Sequence, residues 1–345
     1  MDNSDLPGSG NAFDIVHADV LAGFPELVKD LGGEASALLA EAGIGQGLEN
    51  LGGVTCRQWV RLLENAARAL GCCDLGLRLA ARQGGSGVFG VLGQAMQASR
   101  SFGDALAYVE AHCYAHSLAS RITVQTRRRG TLTFVSHDLL VERNPAPLQV
   151  LEQLMLAGHL GAQALTGGHA RVRRVHFRHE PISRLEVYRH HFGCEVRFGQ
   201  LQDGVFFSES DMACPTIDSD AHILAEITRE IEQRFNARRA PIDAEVLGAV
   251  MYRLLAGPCT NEAVAADLGM HVRTLHRRLT ESGTSFQKIK DEVRRDVMLY
   301  YLQRTPYSFT WIADRLGFAE QSVLTRTCRR WFAMSPSEVR AKGMS

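Results

Sequence analysis

Two short segments near the C-terminus carry side chains that can form hydrogen bonds with the edges of nucleic-acid bases. Arginine donates two parallel hydrogen bonds to guanine, glutamine pairs with adenine, and the methyl group of threonine contacts that of thymine. Glu320 is the single acid on these two helix faces, whereas a solvated face normally mixes acids with bases. The candidate residues are Arg273, Thr274, His276 and Arg277 in the first segment, and Gln321, Ser322, Thr325, Arg326 and Arg330 in the second.

The same helix–turn–helix pattern positions both segments. An apolar helix, a Leu-Gly pair and a polar helix follow one another at residues 261–280 and again at 309–332. Gly269 and Gly317 allow the left-handed backbone that a sharp turn requires. Residues spaced for a core are assigned to packing: Ala265, Leu268, Leu275 and Leu279, and Ile312, Ala313, Leu316, Val323 and Leu324. Two copies predict two recognition helices, each of a size that fits a major groove.

A long helix is predicted between the two copies, because residues 286–304 contain no helix breaker before Thr305-Pro306. Such a helix is a rigid strut that fixes the separation of the recognition helices. Helices that enter successive major grooves on one face of DNA lie about 34 Å apart. A shorter separation would require the DNA to bend towards the protein.

The first 215 residues predict an α+β domain. Helical spacing continues from Val20 to about His116, and alternation over residues 120–137 then predicts a β-hairpin. A helix at 147–167, a strand at 171–179, a short helix at 183–192 and a strand pair with a glycine turn at 195–208 follow. The predicted boundaries are a disordered segment 1–12, the α+β domain 13–215, a helix and linker 216–240, and an all-α domain 241–345.

The formal net charge of zero conceals an asymmetry between the two ends. Residues 258–345 hold 14 Lys and Arg against 9 Asp and Glu, a net +5, and the other residues hold 24 against 29, a net −5. A basic end on an acidic body is typical of a nucleic-acid-binding module attached to a second domain. The polar, acidic N-terminus and eight cysteines without a CxxC pair predict a cytoplasmic protein with reduced thiols and no membrane contact.

Two motifs that could indicate enzyme chemistry lack the context they need. Gly85-Ser-Gly87-Val-Phe-Gly90 matches a dinucleotide fingerprint, but the preceding segment is predicted to be helical rather than a strand. We expect Gly87, Gly90 and Gly93 to allow close helix packing instead. His112 and His116 are four residues apart on a predicted helix, but no acidic third ligand accompanies them. We therefore predict no catalytic residue, no metal site and no cofactor.

Residues 242–341 resemble the DNA-binding domain of the AraC-type (AraC/XylS) transcription regulators. The resemblance rests on Leu268-Gly-Met270, Arg273-Thr-Leu-His-Arg-Arg-Leu279, Ile312-Ala313, Leu316-Gly-Phe318, Arg326, Arg330-Trp331 and Ser335-Pro-Ser-Glu-Val-Arg340. It implies two helix–turn–helix subdomains joined by a central helix. His271 and Ala319 stand where the family usually has a capping serine, and loss of a cap costs about 1 kcal/mol.

The first 215 residues resemble the "arabinose-binding domain" sensor of one branch of this family. The matching segments are Phe89-Gly-x-Leu-Gly93, Ser101-Phe-Gly-Asp-Ala-Leu106 and Tyr188-Arg-His-His-Phe-Gly-Cys-Glu-Val-Arg-Phe198. The resemblance implies a ligand-responsive activator that binds promoter DNA, acts with RNA polymerase, responds to an unknown small-molecule effector and forms a homodimer. The ligand-binding residues are not assigned by the sequence.

Two alternatives to this function remain open at the level of sequence. The N-terminal domain could serve only for dimerisation or for binding a protein partner. An enzyme fused to a DNA-targeting module, as in the methyl-acceptor repair proteins of the family, needs four zinc-binding cysteines near the N-terminus, and only Cys56, Cys72 and Cys73 are there.

An amphipathic helix at residues 223–235 is the predicted site of self-association. It places Ile223, Leu224, Ile227, Ile231 and Phe235 on one stripe. The stripe could pack on its own domain or against a second chain, and the pattern favours neither.

Overall fold

The computed structural model describes residues 14–45, 53–126, 132–140, 146–235, 242–256, 259–305 and 307–343. The chain divides into two compact units, Met1–Phe198 with Gln202–Arg239, and Ala240–Ser345 with Gly199–Leu201. The predicted disordered segment 1–12, the tip of the predicted hairpin at 127–130 and the basic linker at 236–240 lie outside the described residues.

Helical spacing in the first unit produces ten α-helices among the described residues. Hydroxyl groups begin several of them; Thr55, for example, accepts from the backbone of Gln58, whose side chain accepts from Thr55 in return. The helices are α1 (Phe24–Asp30), α2 (Ala35–Glu41), α3 (Cys56–Ala69), α4 (Leu75–Gln83), α5 (Val91–Ala98), α6 (Phe102–His112), α7 (Leu148–Leu165), α8 (Leu185–Phe192), α9 (Glu209–Met212) and α10 (Ala221–Phe235).

Seven short strands accompany these helices in the described part of the first unit. They are β1 (Ile15–Val16), β2 (Val54–Thr55), β3 (Ser120–Thr126), β4 (Leu132–Leu139), β5 (Arg174–His176), β6 (Glu195–Arg197) and β7 (Gly204–Ser208). β1 pairs with β2, and β2 lies within the region from Val20 to about His116 that the sequence predicts to be helical throughout. Two-residue strands are too short to show an alternating pattern, so periodicity could not reveal them.

The main sheet has the order β3-β4-β7-β5-β6. β3 and β4 form the predicted antiparallel hairpin, with Val124 opposite Val135. The prediction that residues 195–208 form a strand pair is wrong, because β5 lies between β6 and β7 and pairs with both. Val175 of β5 is fully buried, which agrees with the interior position of this strand between β7 and β6.

Helix α7 is the centre of the first unit, and it is buried on nearly all sides. Its polar side chains are paired inside the core: Gln153 accepts from the indole of Trp59 at 3.1 Å and donates to the carbonyl of Val20 at 2.7 Å. Helix α4 packs directly on α7 at Gly76, where an added Cβ would lie 2.0 Å from the carbonyl oxygen of Gln149.

The expectation that Gly87, Gly90 and Gly93 allow close helix packing is wrong for the first two. A Cβ on Gly87 would meet nothing within 4 Å, and Gly90 has a φ of 54°, so it serves a turn. The rejection of a dinucleotide site is consistent with the structure, since α4 precedes the motif. Gly76 gave no signal in the sequence, because an isolated glycine in a helix does not indicate which backbone approaches it.

The second unit is entirely helical in its described residues. Its core contains apolar residues from every helix before Gln321 and, after it, Leu324, Cys328 and Val339. The helices are α11 (Ile242–Ala256), α12 (Asn261–Asp267), α13 (Val272–Glu281), α14 (Phe286–Arg304), α15 (Phe309–Arg315), α16 (Gln321–Phe332) and α17 (Pro336–Gly343).

Substitution Gly76→Ala should destabilise the protein by about 1–3 kcal/mol, because α4 and α7 must separate to admit the methyl group. Gly158→Ala is the matched control, since a Cβ at that position in α7 meets nothing within 4 Å. We expect the control to be neutral or to stabilise by about 0.5–1 kcal/mol, the helix preference of alanine over glycine. Urea unfolding followed by circular dichroism measures both effects, and equal midpoints would contradict the close approach.

Candidate nucleic-acid interface

The two recognition helices, α13 and α16, bury one face and expose the other. Leu275 and Leu279 of α13 are fully buried, and so are the equivalent Leu324 and Cys328 of α16. Gly269 and Gly317 have φ values of 63° and 67°, which confirms the predicted left-handed turns before both helices. Each helix therefore has a fixed orientation about its own axis.

Three arginines on the outward faces are free of partners among the described residues. Arg273, Arg277 and Arg326 are exposed, and none forms a hydrogen bond or ion pair with another described side chain. Arg277 and Arg326 both occupy the sixth residue of their helix, counted from Val272 and from Gln321. The two copies thus present one guanidinium each at equivalent places, ready to donate to an external acceptor.

Several other predicted residues form contacts within their own helix–turn–helix copy. The His276 ring lies 3.0 Å from the amide oxygen of Asn261 at the start of α12. In the second copy, Gln321 accepts from the hydroxyl of Thr310 at 2.8 Å. These two contacts tie each recognition helix to the helix before it.

The other predicted residues differ from one another in their exposure and in their contacts. Ser322 donates to the carboxylate of Glu320, and Thr325 donates to the carbonyl of Gln321 at 3.0 Å. Thr274 is half-buried. The exposed Arg330 lies 3.9 Å from Asp291 of α14, a distance and exposure at which an ion pair contributes little.

The N-caps of the recognition helices differ from the sequence prediction at one position. His271 is the N-cap of α13 and makes no side-chain capping bond, as expected. The N-cap of α16 is Glu320 rather than Ala319, because the second turn is one residue longer than the first. A carboxylate at the start of a helix is favoured by the helix dipole.

Arg294 of α14 fixes the turn of the second copy to the central helix. Its guanidinium donates to the carbonyls of Leu316 and Gly317, both at 2.8 Å, and lies 4.8 Å from the ring centre of Phe318. These carbonyls end α15 and have no helical partner, so the arginine supplies hydrogen bonds that the helix end lacks. Burial lowers the pKa of Arg294, and the nearby Asp291 acts in the opposite direction.

Lys290, one turn earlier on α14, makes the matching contact with the first copy. Its ammonium group donates to the carbonyl of Cys259, directly before α12. Burial is the main cause that lowers the pKa of Lys290, and Arg294 adds to it. Sequence analysis missed both roles. The signal was present for Arg294, which falls among the buried positions Val293, Val297 and Met298 of its helix.

The two histidines with metal-ligand spacing do not share a helix. α6 ends at His112, whose ring stacks on Tyr108, and a single 3₁₀ turn separates it from the buried His116. The prediction of two imidazoles on one helix face is therefore wrong. No group of three or more metal-ligating side chains occurs in the part of the chain that is described.

A cavity of about 60 Å³ lies in the first unit, between the main sheet and helices α5, α6 and α7. We call it the sheet–helix cavity. At about 24 cal/mol per Å³, a void of that size costs roughly 1.5 kcal/mol of stability.

Comparison with known proteins gives matches in both units. Residues 32–216 match the family described as "Arabinose-binding domain of AraC transcription regulator, N-term", and residues 264–342 match a helix-turn-helix domain. These matches and the paired recognition helices define a DNA-binding transcription regulator. The chain belongs to the AraC family of transcription regulators, and both matched domains are domains of transcription regulators rather than of enzymes.

Relatives in this family match along most of the chain. The HTH-type transcriptional regulator VirS of Mycobacterium tuberculosis is 32% identical over 335 residues, 95% of this chain and 97% of its own. The ornithine utilization regulator of Pseudomonas aeruginosa is 28% identical over 257 residues, 73% of this chain and 74% of its own.

The described helices include none that is both long and apolar enough to span a bilayer.

Replacement of Arg294 by methionine should loosen the second helix–turn–helix copy while the first stays intact. Loss of hydrogen bonds from a charged donor costs about 1.5–3 kcal/mol. Hydrogen–deuterium exchange on the full chain should show faster exchange of backbone amides at 316–320. Arg295→Met, which alters the exposed neighbour, is the control and should leave those rates unchanged. Equal exchange in both variants would show that Arg294 does not anchor the turn.

Proposed function

We propose that α13 and α16 read promoter DNA by entering two major grooves. The observation that carries this proposal is the set of three exposed, unpartnered arginines, Arg273, Arg277 and Arg326. The guanidinium N–H groups of an exposed arginine without an acidic partner are available to donate hydrogen bonds to a guanine edge or to a phosphate. Secondary base or phosphate contacts come from Thr274, His276, Gln321, Ser322, Thr325 and Arg330.

The central helix sets the spacing of this interface. α14 has 19 residues, which corresponds to about 28 Å at the helical rise. If the recognition helices are separated by the length of α14, the separation is less than the roughly 34 Å between successive major grooves. We therefore propose that the DNA bends towards the protein when both copies are bound.

The first unit, in this proposal, senses a small-molecule effector and passes the signal to the DNA-binding unit. The sheet–helix cavity supports sensing over a domain that only dimerises or binds a protein partner, because neither of those roles needs an internal cavity. We propose an activator that contacts RNA polymerase and acts in the cytoplasm, where promoter DNA is accessible.

The first unit also forms the homodimer in this proposal. Helix α10 divides the stripe predicted from the sequence: Ile227 and Ile231 are buried in their own unit, whereas Ile223 is 48% exposed. The side chain of Phe235 lies outside the described residues. The exposed start of α10 is thus left for contact with a second chain.

Substitution Arg277→Ala, and separately Arg326→Ala, should weaken specific DNA binding by about 1–3 kcal/mol and relax the preference at single base positions. Arg277→Lys retains the charge but loses the bidentate geometry, so it should keep non-specific affinity and still lose the preference. Arg100→Ala removes an exposed charge of the first unit and serves as control. Binding to a randomised promoter library measures all four variants. Unchanged base preferences in the two alanine variants would refute the groove assignment.

Light scattering of the full chain should give a dimer, and Ile223→Asp should give a monomer. Loss of the second DNA-binding unit should reduce promoter affinity about 100-fold or more through lost avidity. Leu185→Asp is the matched control, because Leu185 is an exposed apolar residue of similar accessibility, 46%, outside α10. A monomeric wild-type chain, or a dimer that survives Ile223→Asp but not Leu185→Asp, would contradict the proposed interface.

A further inference from the structure

The sheet–helix cavity has an almost wholly apolar lining. Its walls come from aromatic, aliphatic and methionine side chains of β3, β4, β7, α5, α6 and α7. Among the described residues that line it, His137 is the only one with a polar side chain. A charged or polyhydroxylated molecule would lose its hydration there without gaining hydrogen bonds in return.

His137 does not supply a charge to the cavity. Its Nε2 atom shares a hydrogen bond with the hydroxyl of Ser120. Burial lowers the pKa of His137 to about 3, and the neighbouring His116 contributes in the same direction. The ring is therefore neutral at physiological pH and cannot form an ion pair with a carboxylate ligand.

Two features allow the cavity to accept a ligand larger than its present volume. Met96 and Met155 line it, and methionine side chains adapt their shape at low cost. Gly158 of α7 also lines it, and a Cβ built there meets nothing within 4 Å. Gly158 is half-buried, so its position in α7 is not filled by neighbouring side chains.

We propose that the sheet–helix cavity binds an uncharged, predominantly apolar small molecule that carries at most one hydrogen-bonding group. This inference rests on the proposed sensing function, under which such a molecule is the effector. The proposed ligand class differs from arabinose, the sugar after which the matching domain family is named. The lining offers no set of polar side chains that could pair with the hydroxyls of a sugar.

Calorimetric titration of the full chain with a matched pair of probes tests the ligand class. 1-Hexanol and hexanoate have the same chain, and only the second is charged; L-arabinose is the polar probe. We expect 1-hexanol to bind at one site with a negative heat-capacity change, the sign of apolar burial. Hexanoate should bind at least tenfold more weakly, and L-arabinose should give no saturable heat.

Substitution Gly158→Leu tests the location, because Gly158 is one of the residues that line the cavity. It should weaken 1-hexanol binding at least tenfold while the circular dichroism spectrum stays that of the wild type. Gln97→Leu adds the same side chain on the exposed face of α5 and should leave binding unchanged. Undiminished binding of 1-hexanol to a folded Gly158→Leu chain would overturn the proposed location.

The outcomes separate this inference from the sensing function. Binding of hexanoate or L-arabinose in preference to 1-hexanol would overturn the ligand class and leave sensing intact. Absence of 1-hexanol binding would also overturn the proposed ligand class. Binding of 1-hexanol that Gly158→Leu abolishes, without any effect on promoter affinity in the wild type, would support the ligand class and contradict sensing.

Discussion

A buried positive charge on the central helix is the interaction on which the DNA-binding unit depends. Arg294 can remain buried because the carbonyls of Leu316 and Gly317 accept hydrogen bonds from its guanidinium and the ring of Phe318 covers it. An unpaired guanidinium in that place would be strongly unfavourable, so the arginine and the turn stabilise each other. Lys290 holds the start of the first copy from the same helix. The two copies are therefore linked through a single rigid element.

Some polar side chains of the recognition helices are free, and others are engaged within their own helix–turn–helix copy. His276 and Gln321 each form a hydrogen bond between their recognition helix and the helix before it. Arg273, Arg277 and Arg326 lie on a surface that is already in place. In the proposed DNA complex, a surface that is already in place would lose less conformational entropy on binding.

In the first unit, by contrast, the core is built around one buried helix, α7. Polar side chains of α7 reach α3 and the segment before α1 through Gln153, and Gly76 lets α4 lie against its backbone. Against the main sheet, the same helix leaves the sheet–helix cavity unfilled. Helix α7 is therefore tightly packed on one side and borders a void on the other.

The sequence by itself determined the two helix–turn–helix copies, the central helix, the β3–β4 hairpin and the outward face of each recognition helix. These features depend on local periodicity and on glycine at the turns, which neighbouring residues encode. The tertiary structure alone decided that β5 separates β6 from β7, that Gly76 rather than Gly87 permits close packing, and that Lys290 and Arg294 are anchors. It alone shows the cavity, whose lining comes from segments more than 100 residues apart, such as Phe89 and Phe207. Contacts between distant segments depend on how whole elements pack, and the periodicity within one segment does not identify the segment against which it packs.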